Sequence, residues 1–229
     1  MLRWFLAIAA GLFATASFAQ VSGSVSLVSD YRFRGVSLSQ GRPAAQAEVS
    51  YDHASGWYAG LFGSNIQFYA HSPHEVQAVA YAGYSRRLQD GLSVDAGATY
   101  SAFSGGDGYD YAEAYVGLTT EQFNARLYYS PDYFEEGVRT FYGELNGSHR
   151  LIDKIRLIGH AGVLRSMSVA SGESSRERAH FDLFAGIELS LLPFKLQLGR
   201  VANDGPSRVY PIGAAHTGGV WTARLSASF

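Results

Sequence analysis

The feature that most constrains this chain is a two-residue alternation of apolar and polar side chains, clearest in residues 217–229. One set of alternate positions is apolar and the other is polar: Trp221, Ala223, Leu225, Ala227 and Phe229 against Thr222, Arg224, Ser226 and Ser228. Successive side chains of a β-strand point to opposite faces, so this period predicts a strand with one apolar face. Such a strand is compatible with any half-buried sheet. The type of sheet has to be inferred from the rest of the sequence.

The same alternation recurs along the chain after residue 19. It predicts about twelve strands, each near the ~9–11 residues that cross a bilayer at a tilt. They cover about 21–32, 44–52, 57–66, 75–86, 92–103, 109–119, 123–130, 139–150, 155–167, 178–190, 194–201 and 217–229. No helical stretch or linker interrupts them. We therefore predict an all-β chain, with one domain over residues 20–229 folded as a transmembrane antiparallel up-and-down β-barrel.

The connections between the predicted strands alternate in length. Those after odd-numbered strands are longer and rich in Gly, Pro and Ser, as in 35–43, whereas those after even-numbered strands are tight turns, as in 53–56. Bacterial outer-membrane barrels combine short periplasmic turns with longer external loops and an even strand number. A soluble sandwich has no reason to alternate in this way. The pattern predicts an outer-membrane barrel with both termini at the periplasmic end.

Aromatic residues on the apolar face fall near the strand ends. Those next to the short turns are Tyr51, Trp57, Tyr84, Phe123, Phe194 and Phe229, and those nearer the long loops are Tyr31, Tyr100, Tyr129, Phe141, Phe181 and Trp221. An apolar band with an aromatic girdle at each edge is typical of a lipid-facing wall. The alternative is a soluble barrel with its apolar face inside, as in lipocalins; we favour the membrane interpretation.

Residues 1–19 have the pattern of a secretory signal peptide. Arg3 supplies a positive charge, residues 4–16 are apolar, and Ser17-Phe18-Ala19 places small residues where a signal peptidase inspects the chain. We predict cleavage before Gln20. The apolar run is too short for a spanning helix.

Composition excludes several function classes. The net charge of −2 gives no basic patch for nucleic acid. The absence of cysteine excludes disulfides, thiolate metal sites and a cysteine nucleophile. His71 and His74 flank Pro73 and precede Glu75, but this loop spacing is weak support for a metal site. We predict no metal and no cofactor.

With the apolar face on lipid, the polar face lines the lumen. The candidate pore-lining residues are Asp30, Arg32, Glu48, Asp95, Glu113, Arg126, Glu144, Arg156, His160, Asp182, Glu188, Lys195 and Arg224. They either select solutes by charge and width or fill the barrel with paired charges, because unpaired buried ions are costly. Eight strands are filled by side chains and sixteen leave a water channel, so twelve predict a narrow pore that Arg126, Tyr128 and Tyr142 can obstruct.

Two groups among these residues have a second interpretation. Asp30, Arg32 and Arg34 form either an anion-attracting cluster at the outer mouth or a structural knot that ties the first loop to the wall; we favour the knot. His160 and Asp182 raise the possibility of a hydrolase, but the chain has no local Gly-x-Ser-x-Gly motif. We predict that the protein is not an enzyme and has no catalytic residues.

The opening of the first strand and loop is distinctive. Residues 29–39 read Ser-Asp-Tyr-Arg-Phe-Arg-Gly-Val-Ser-Leu-Ser, and 56–60 read Gly-Trp-Tyr-Ala-Gly. With residues 44–52, this opening resembles that of the TorF-type porin family of proteobacterial outer-membrane proteins. The resemblance implies a barrel in the bacterial outer membrane and brings no catalytic residues. The terminal strand ending at Phe229 also resembles the last strand of outer-membrane barrels, which implies recognition by the barrel-assembly machinery.

The sequence as a whole predicts an outer-membrane porin-like channel for passive diffusion of small polar or charged solutes. Its partners are then outer-membrane lipid and those solutes. A non-conducting barrel whose loops bind a partner is the main alternative, and an outer-membrane hydrolase is a weaker one. Because an open sheet edge cannot stand in lipid, the closing strand must pair with the first strand. Phe229 is then expected near Val21, and Trp221 near Tyr31.

Overall fold

A computed structural model describes residues 19–69, 75–89, 91–105, 109–134, 138–167, 179–204 and 219–229. Its strands are β1 (Ala19–Val28), β2 (Arg32–Phe33), β3 (Val36–Ser37), β4 (Ala44–His53), β5 (Trp57–Ile66), β6 (Glu75–Gln89), β7 (Leu92–Phe103), β8 (Tyr111–Thr120), β9 (Phe123–Ser130), β10 (Thr140–Ile152), β11 (Ile155–Ser166), β12 (Ala179–Leu191), β13 (Phe194–Asn203) and β14 (Val220–Ser228). No helix long and apolar enough to cross a membrane occurs within these ranges. The predicted signal peptide lies almost wholly outside them.

Twelve of the strands close into one antiparallel barrel, in the order β1-β14-β13-β12-β11-β10-β9-β8-β7-β6-β5-β4. The predicted fold class is therefore confirmed. β1 pairs with β14 from Ser24 opposite Ser228 to Val28 opposite Arg224. The amide N–H groups of Gly23 and Phe229 each donate to the other's carbonyl, with N···O distances of 2.9 Å. The closing strand thus seals the seam next to the first strand.

The predicted strand limits agree with the structure to within three residues, except for the first strand. That strand was predicted over 21–32, but β1 ends at Val28 and the chain then turns into the barrel. Tyr31 is therefore only 8% exposed, and its predicted place in the outer girdle is wrong. The parity of Tyr31 matches the outward positions of β1, so the alternation continues past the point where the strand ends.

The two faces of the wall differ as the alternation predicted. Large apolar side chains are exposed on the outside, with Trp221 73% exposed. The other predicted girdle residues are also exposed, apart from Tyr129, which is half-buried and packs on Phe141. In β5, Trp57 and Leu61 are exposed whereas Ile66, on the opposite parity, is fully buried. The short turns, the start of β1 and the end of β14 lie at one end of the barrel, which we call the turn end. The long connections lie at the other end, which we call the loop end.

The first long connection, residues 29–43, folds into the loop end; we call it the plug. It carries the β2–β3 hairpin, in which Arg32 pairs with Ser37. Arg34, Gly35, Gln40 and Gly41 have positive φ angles, which produce its tight turns. The buried hydrophobic cluster combines plug and wall: Val28, Tyr31, Val36, Leu38, Ala44, Ile66, Phe68, Phe103, Tyr111, Tyr133, Phe134, Tyr142 and Leu164. The apolar core thus lies inside the loop end.

Inward tyrosines lie flat against the wall because glycines stand beneath them. A Cβ atom at Gly97 would collide with the Tyr115 hydroxyl and the Ala82 carbonyl oxygen, and one at Gly83 would collide with the Tyr58 hydroxyl. Without a side chain at these positions, each ring crosses its neighbouring strand closely. The rings of Tyr58 and Tyr115 therefore lie along the inner wall.

We expect Gly97→Ala to destabilise the barrel by about 1–3 kcal/mol, the usual cost of overpacking, because the Ala82 carbonyl belongs to the wall and cannot move aside. Gly143→Ala is the matched control, since the nearest atoms to a Cβ there are 3.9 Å away. The free energy of unfolding of each variant is measured by urea titration in lipid vesicles. The folded fraction is determined from the heat-dependent shift in migration on a denaturing gel. Equal stability of the two variants would contradict the packing explanation.

Candidate functional site

The plug is organised by one carboxylate, that of Asp30. Its oxygens accept hydrogen bonds from Arg32 Nε at 2.6 Å and from Ser39 Oγ at 3.2 Å, and also from Ser37 Oγ. The Ser39 hydroxyl oxygen in turn accepts from the Tyr31 backbone amide at 2.9 Å. Asp30 and Arg32 therefore neutralise each other within the plug and hold its two arms together.

Arg34 attaches the plug to the wall. Its Nη2 atom lies 2.8 Å from Glu113 Oε2, and both side chains are only 4% exposed. The guanidinium carbon lies 4.0 Å from the ring centroid of Tyr142 and 5.3 Å from that of Tyr128. This combination of a buried ion pair and cation–π contacts favours a fixed plug. Arg32 and Arg34 thus both face carboxylates, which suits a structural knot better than an anion-attracting cluster.

The plug backbone is also held by the opposite part of the wall. Asn203 Nδ2 donates to the Gly35 carbonyl at 2.9 Å, and His180 Nε2 lies 3.3 Å from the Arg34 carbonyl oxygen. The Tyr31 hydroxyl donates to Gln77 Oε1 at 2.8 Å. The plug therefore contacts strands on several sides of the barrel.

Tyrosine hydroxyls donate to carboxylates around the inner wall. The four pairs are Tyr81–Glu48 at 2.8 Å, Tyr58–Asp95 at 3.0 Å, Tyr128–Glu144 at 3.4 Å and Tyr142–Asp182 at 3.2 Å. Sequence reasoning named the carboxylates but omitted Tyr58 and Tyr81 from the candidate site. Their place on the polar side of the alternation was the available signal.

His160 is held by three wall residues, one of which is Tyr142, whose hydroxyl oxygen lies 3.1 Å from Nε2. The Nδ1 atom of His160 lies 2.7 Å from Asn146 Oδ1, and its Nε2 atom lies 2.7 Å from Asp182 Oδ1. Among the described residues, no serine hydroxyl hydrogen-bonds to this ring. These contacts hold the imidazole against the wall, which favours a structural role for His160.

A cavity of about 480 Å³ lies inside the barrel against the plug. Seven of the predicted pore-lining residues border it: Asp30, Arg32, Glu113, Glu144, His160, Asp182 and Arg224. Cavities of this size accommodate small organic molecules. The structure therefore brings together just over half of the predicted set.

The other six candidates do not border this cavity. Asp95 forms a 3.0 Å ion pair with Arg126, and Glu188 accepts from Gln197 Nε2 at 2.9 Å. Arg156 stands opposite Glu188 in the β11–β12 register, Lys195 stands opposite Ser226, and both are exposed. Glu48 pairs with Tyr81, as described above. Within the described ranges, no group of His, Asp and Glu residues has metal-binding geometry; His71 and His74 lie outside them.

Comparisons with known proteins place the chain as follows. A family model described as "Bacterial protein of unknown function (Gcw_chp)" matches residues 13–229. No curated protein matches the sequence. The resemblance to the TorF-type family is not confirmed by this match and stays a prediction.

Solved outer-membrane barrels share the fold. The NanC porin superposes with a TM-score of 0.59 at 11% identity, covering 92% of this chain and 99% of that one. The KdgM porin gives 0.54 at 10% identity, covering 91% and 98%. The COG4313 outer membrane channel from Pseudomonas putida F1 gives 0.52 at 10% identity, covering 96% and 98%. The barrel thus has the fold of outer-membrane porins and channels, which agrees with the predicted location.

We expect Arg34→Met to destabilise the protein more than the double variant Arg34→Met/Glu113→Gln. Removing one partner of a buried ion pair leaves an uncompensated charge, which costs roughly 3–5 kcal/mol, whereas removing both charges costs much less. The free energy of unfolding of each variant is measured with denaturant in lipid vesicles. The single variant Glu113→Gln completes the double-mutant cycle. Additive effects of the two single changes would contradict the pairing.

Proposed function

The chain belongs to the Gcw_chp family of bacterial proteins of unknown function, and we propose that it is a porin-like channel of the bacterial outer membrane. It passes small polar or charged solutes by diffusion through a narrow lumen. The observation that supports this most directly is the contrast between the two faces of the closed wall: large apolar side chains outside, and charged and hydroxyl groups around a cavity inside.

The outer face requires an apolar environment. Its exposed Leu, Val, Ile, Phe, Trp and Tyr side chains occur on all twelve barrel strands, which far exceeds the apolar patch of an ordinary soluble protein. A barrel satisfies all its backbone groups internally and is one of the two structures that can span lipid. In a barrel that spans the outer membrane in the usual orientation, the turn end faces the periplasm and the loop end faces the cell exterior.

The plug sets the width of the proposed pathway. It packs on the wall through Arg34, Gly35 and Tyr31, so solutes at the loop end pass beside it. The same packing favours the alternative of a non-conducting barrel that binds a partner through its outer loops. Recognition of the last strand by the barrel-assembly machinery stays a prediction.

Reconstituted protein is expected to give small, discrete current steps in planar bilayers. A variant in which residues 31–41 are replaced by a short Gly-Ser linker is expected to give larger steps, because the plug no longer narrows the loop end. Heat-denatured protein is the control for leakage. Folded protein of both forms that never conducts would show that the channel proposal is wrong and would favour the partner-binding barrel.

A further inference from the structure

Most charged groups that border the cavity have an ion-pair or hydrogen-bond partner close by. Asp30 pairs with Arg32 at 2.6 Å, Arg34 with Glu113 at 2.8 Å, and Asp182 lies 2.7 Å from His160. These pairs account for every ionisable lining residue except the tyrosines and two others, Glu144 and Arg224.

Among the described residues, no cationic group makes an ion pair with Glu144, because Arg126, which stands opposite it in the β9–β10 register, pairs with Asp95 at 3.0 Å. The Oε1 atom of Glu144 accepts two long hydrogen bonds, from Tyr128 Oη at 3.4 Å and Asn146 Nδ2 at 3.3 Å. The nearby Arg34 contacts the same tyrosine rings, but its ion pair is made with Glu113. The carboxylate is therefore available to a positively charged group in the cavity.

Arg224 is in the converse position. Its Nη2 atom donates to the amide oxygen of Gln46, and no carboxylate lies within ion-pair distance in the described part of the chain. Arg32, which also borders the cavity, has a buried Nη2 atom without a hydrogen-bond partner. The positive charge of Arg224 is therefore not neutralised by a described carboxylate, and Arg32 retains an unused donor.

The two unpaired charges stand apart on the wall. Glu144 is on β10 and Arg224 is on β14, with β11, β12 and β13 between them. Neighbouring strands are about 4.8 Å apart, so the step from β10 to β14 is roughly 19 Å measured across the strands. The register adds an offset along the strands, because Arg224 is level with Arg150 of β10 and not with Glu144. Both side chains nevertheless border the same cavity of about 480 Å³, a volume that holds a molecule a few residues long. A single amino acid carries its charges too close together to reach both.

We propose that the cavity binds short zwitterionic peptides, with the ammonium group at Glu144 and the carboxylate at Arg224. This inference rests on the proposed channel for the arrival of solutes, and it names the class of solute. Opposite fixed charges across a partly desolvated cavity favour a ligand with the matching charge separation, and they disfavour a ligand with only one of its charges.

Four forms of triglycine test the proposal: unmodified, N-acetylated, C-amidated, and modified at both ends. They are nearly equal in size and differ in charge. Calorimetric titration of the folded, detergent-solubilised barrel is expected to show the unmodified peptide binding at least about tenfold more tightly than the doubly blocked one, a difference of ~1.4 kcal/mol. Binding measured in this way does not require conduction.

Two substitutions separate the two ends of the site. Glu144→Gln is expected to remove the advantage of a free amino terminus and keep that of a free carboxylate, and Arg224→Gln is expected to do the reverse. Glu121→Gln, in a turn outside the lumen, is the matched control and is expected to bind all four peptides as the parent does. The heat-dependent gel shift verifies that each variant is folded.

Equal binding of all four peptides, or an unchanged preference in both single variants, would overturn the proposal. Peptide binding without conductance in bilayers would reject the channel and leave the site standing. Conductance without peptide preference would reject the site alone.

Discussion

Every backbone amide and carbonyl within lipid needs a hydrogen-bond partner inside the protein, and the rest of this structure depends on that requirement. It forces the sheet to close, which here is achieved by β1 against β14 and by the reciprocal bonds between Gly23 and Phe229. Once the sheet is closed, each strand must place alternate side chains in lipid and in the lumen. The apolar outside and the polar inside are therefore two consequences of one constraint.

Polar groups turned into the lumen then need partners of their own. The wall meets part of this need locally, through tyrosine hydroxyls that donate to carboxylates such as Asp95 and Glu48. Glycines such as Gly97 make this possible, because they let the rings lie across neighbouring strands. The plug meets another part by inserting Arg34 beside Glu113. Aromatic residues in the lumen thus both pack against the wall and supply partners for its charged groups.

The wall could be predicted from the sequence because the period of two acts at every residue and repeats along the chain. The limits of β5, β7 and β9 follow from it directly. The plug could not be predicted in the same way, since Tyr31 continues the alternation of β1 although the chain has left the wall. Its burial is decided by contacts with residues far along the sequence, such as Gln77, which is 46 positions away.

In the candidate site too, the local alternation predicts which side chains face inward, whereas their contacts depend on residues far apart in the sequence. Parity alone identifies Glu144 and Arg224 as inward-facing, together with eleven other charged residues or histidines, and it cannot distinguish paired from unpaired groups. Arg34 and Glu113 are 79 positions apart and meet only because the plug enters the barrel at one depth. Once such pairs are formed, the charges left over define the field in the cavity. The plug therefore shapes the lumen by the space it fills, and it also determines which wall charges remain available to a solute.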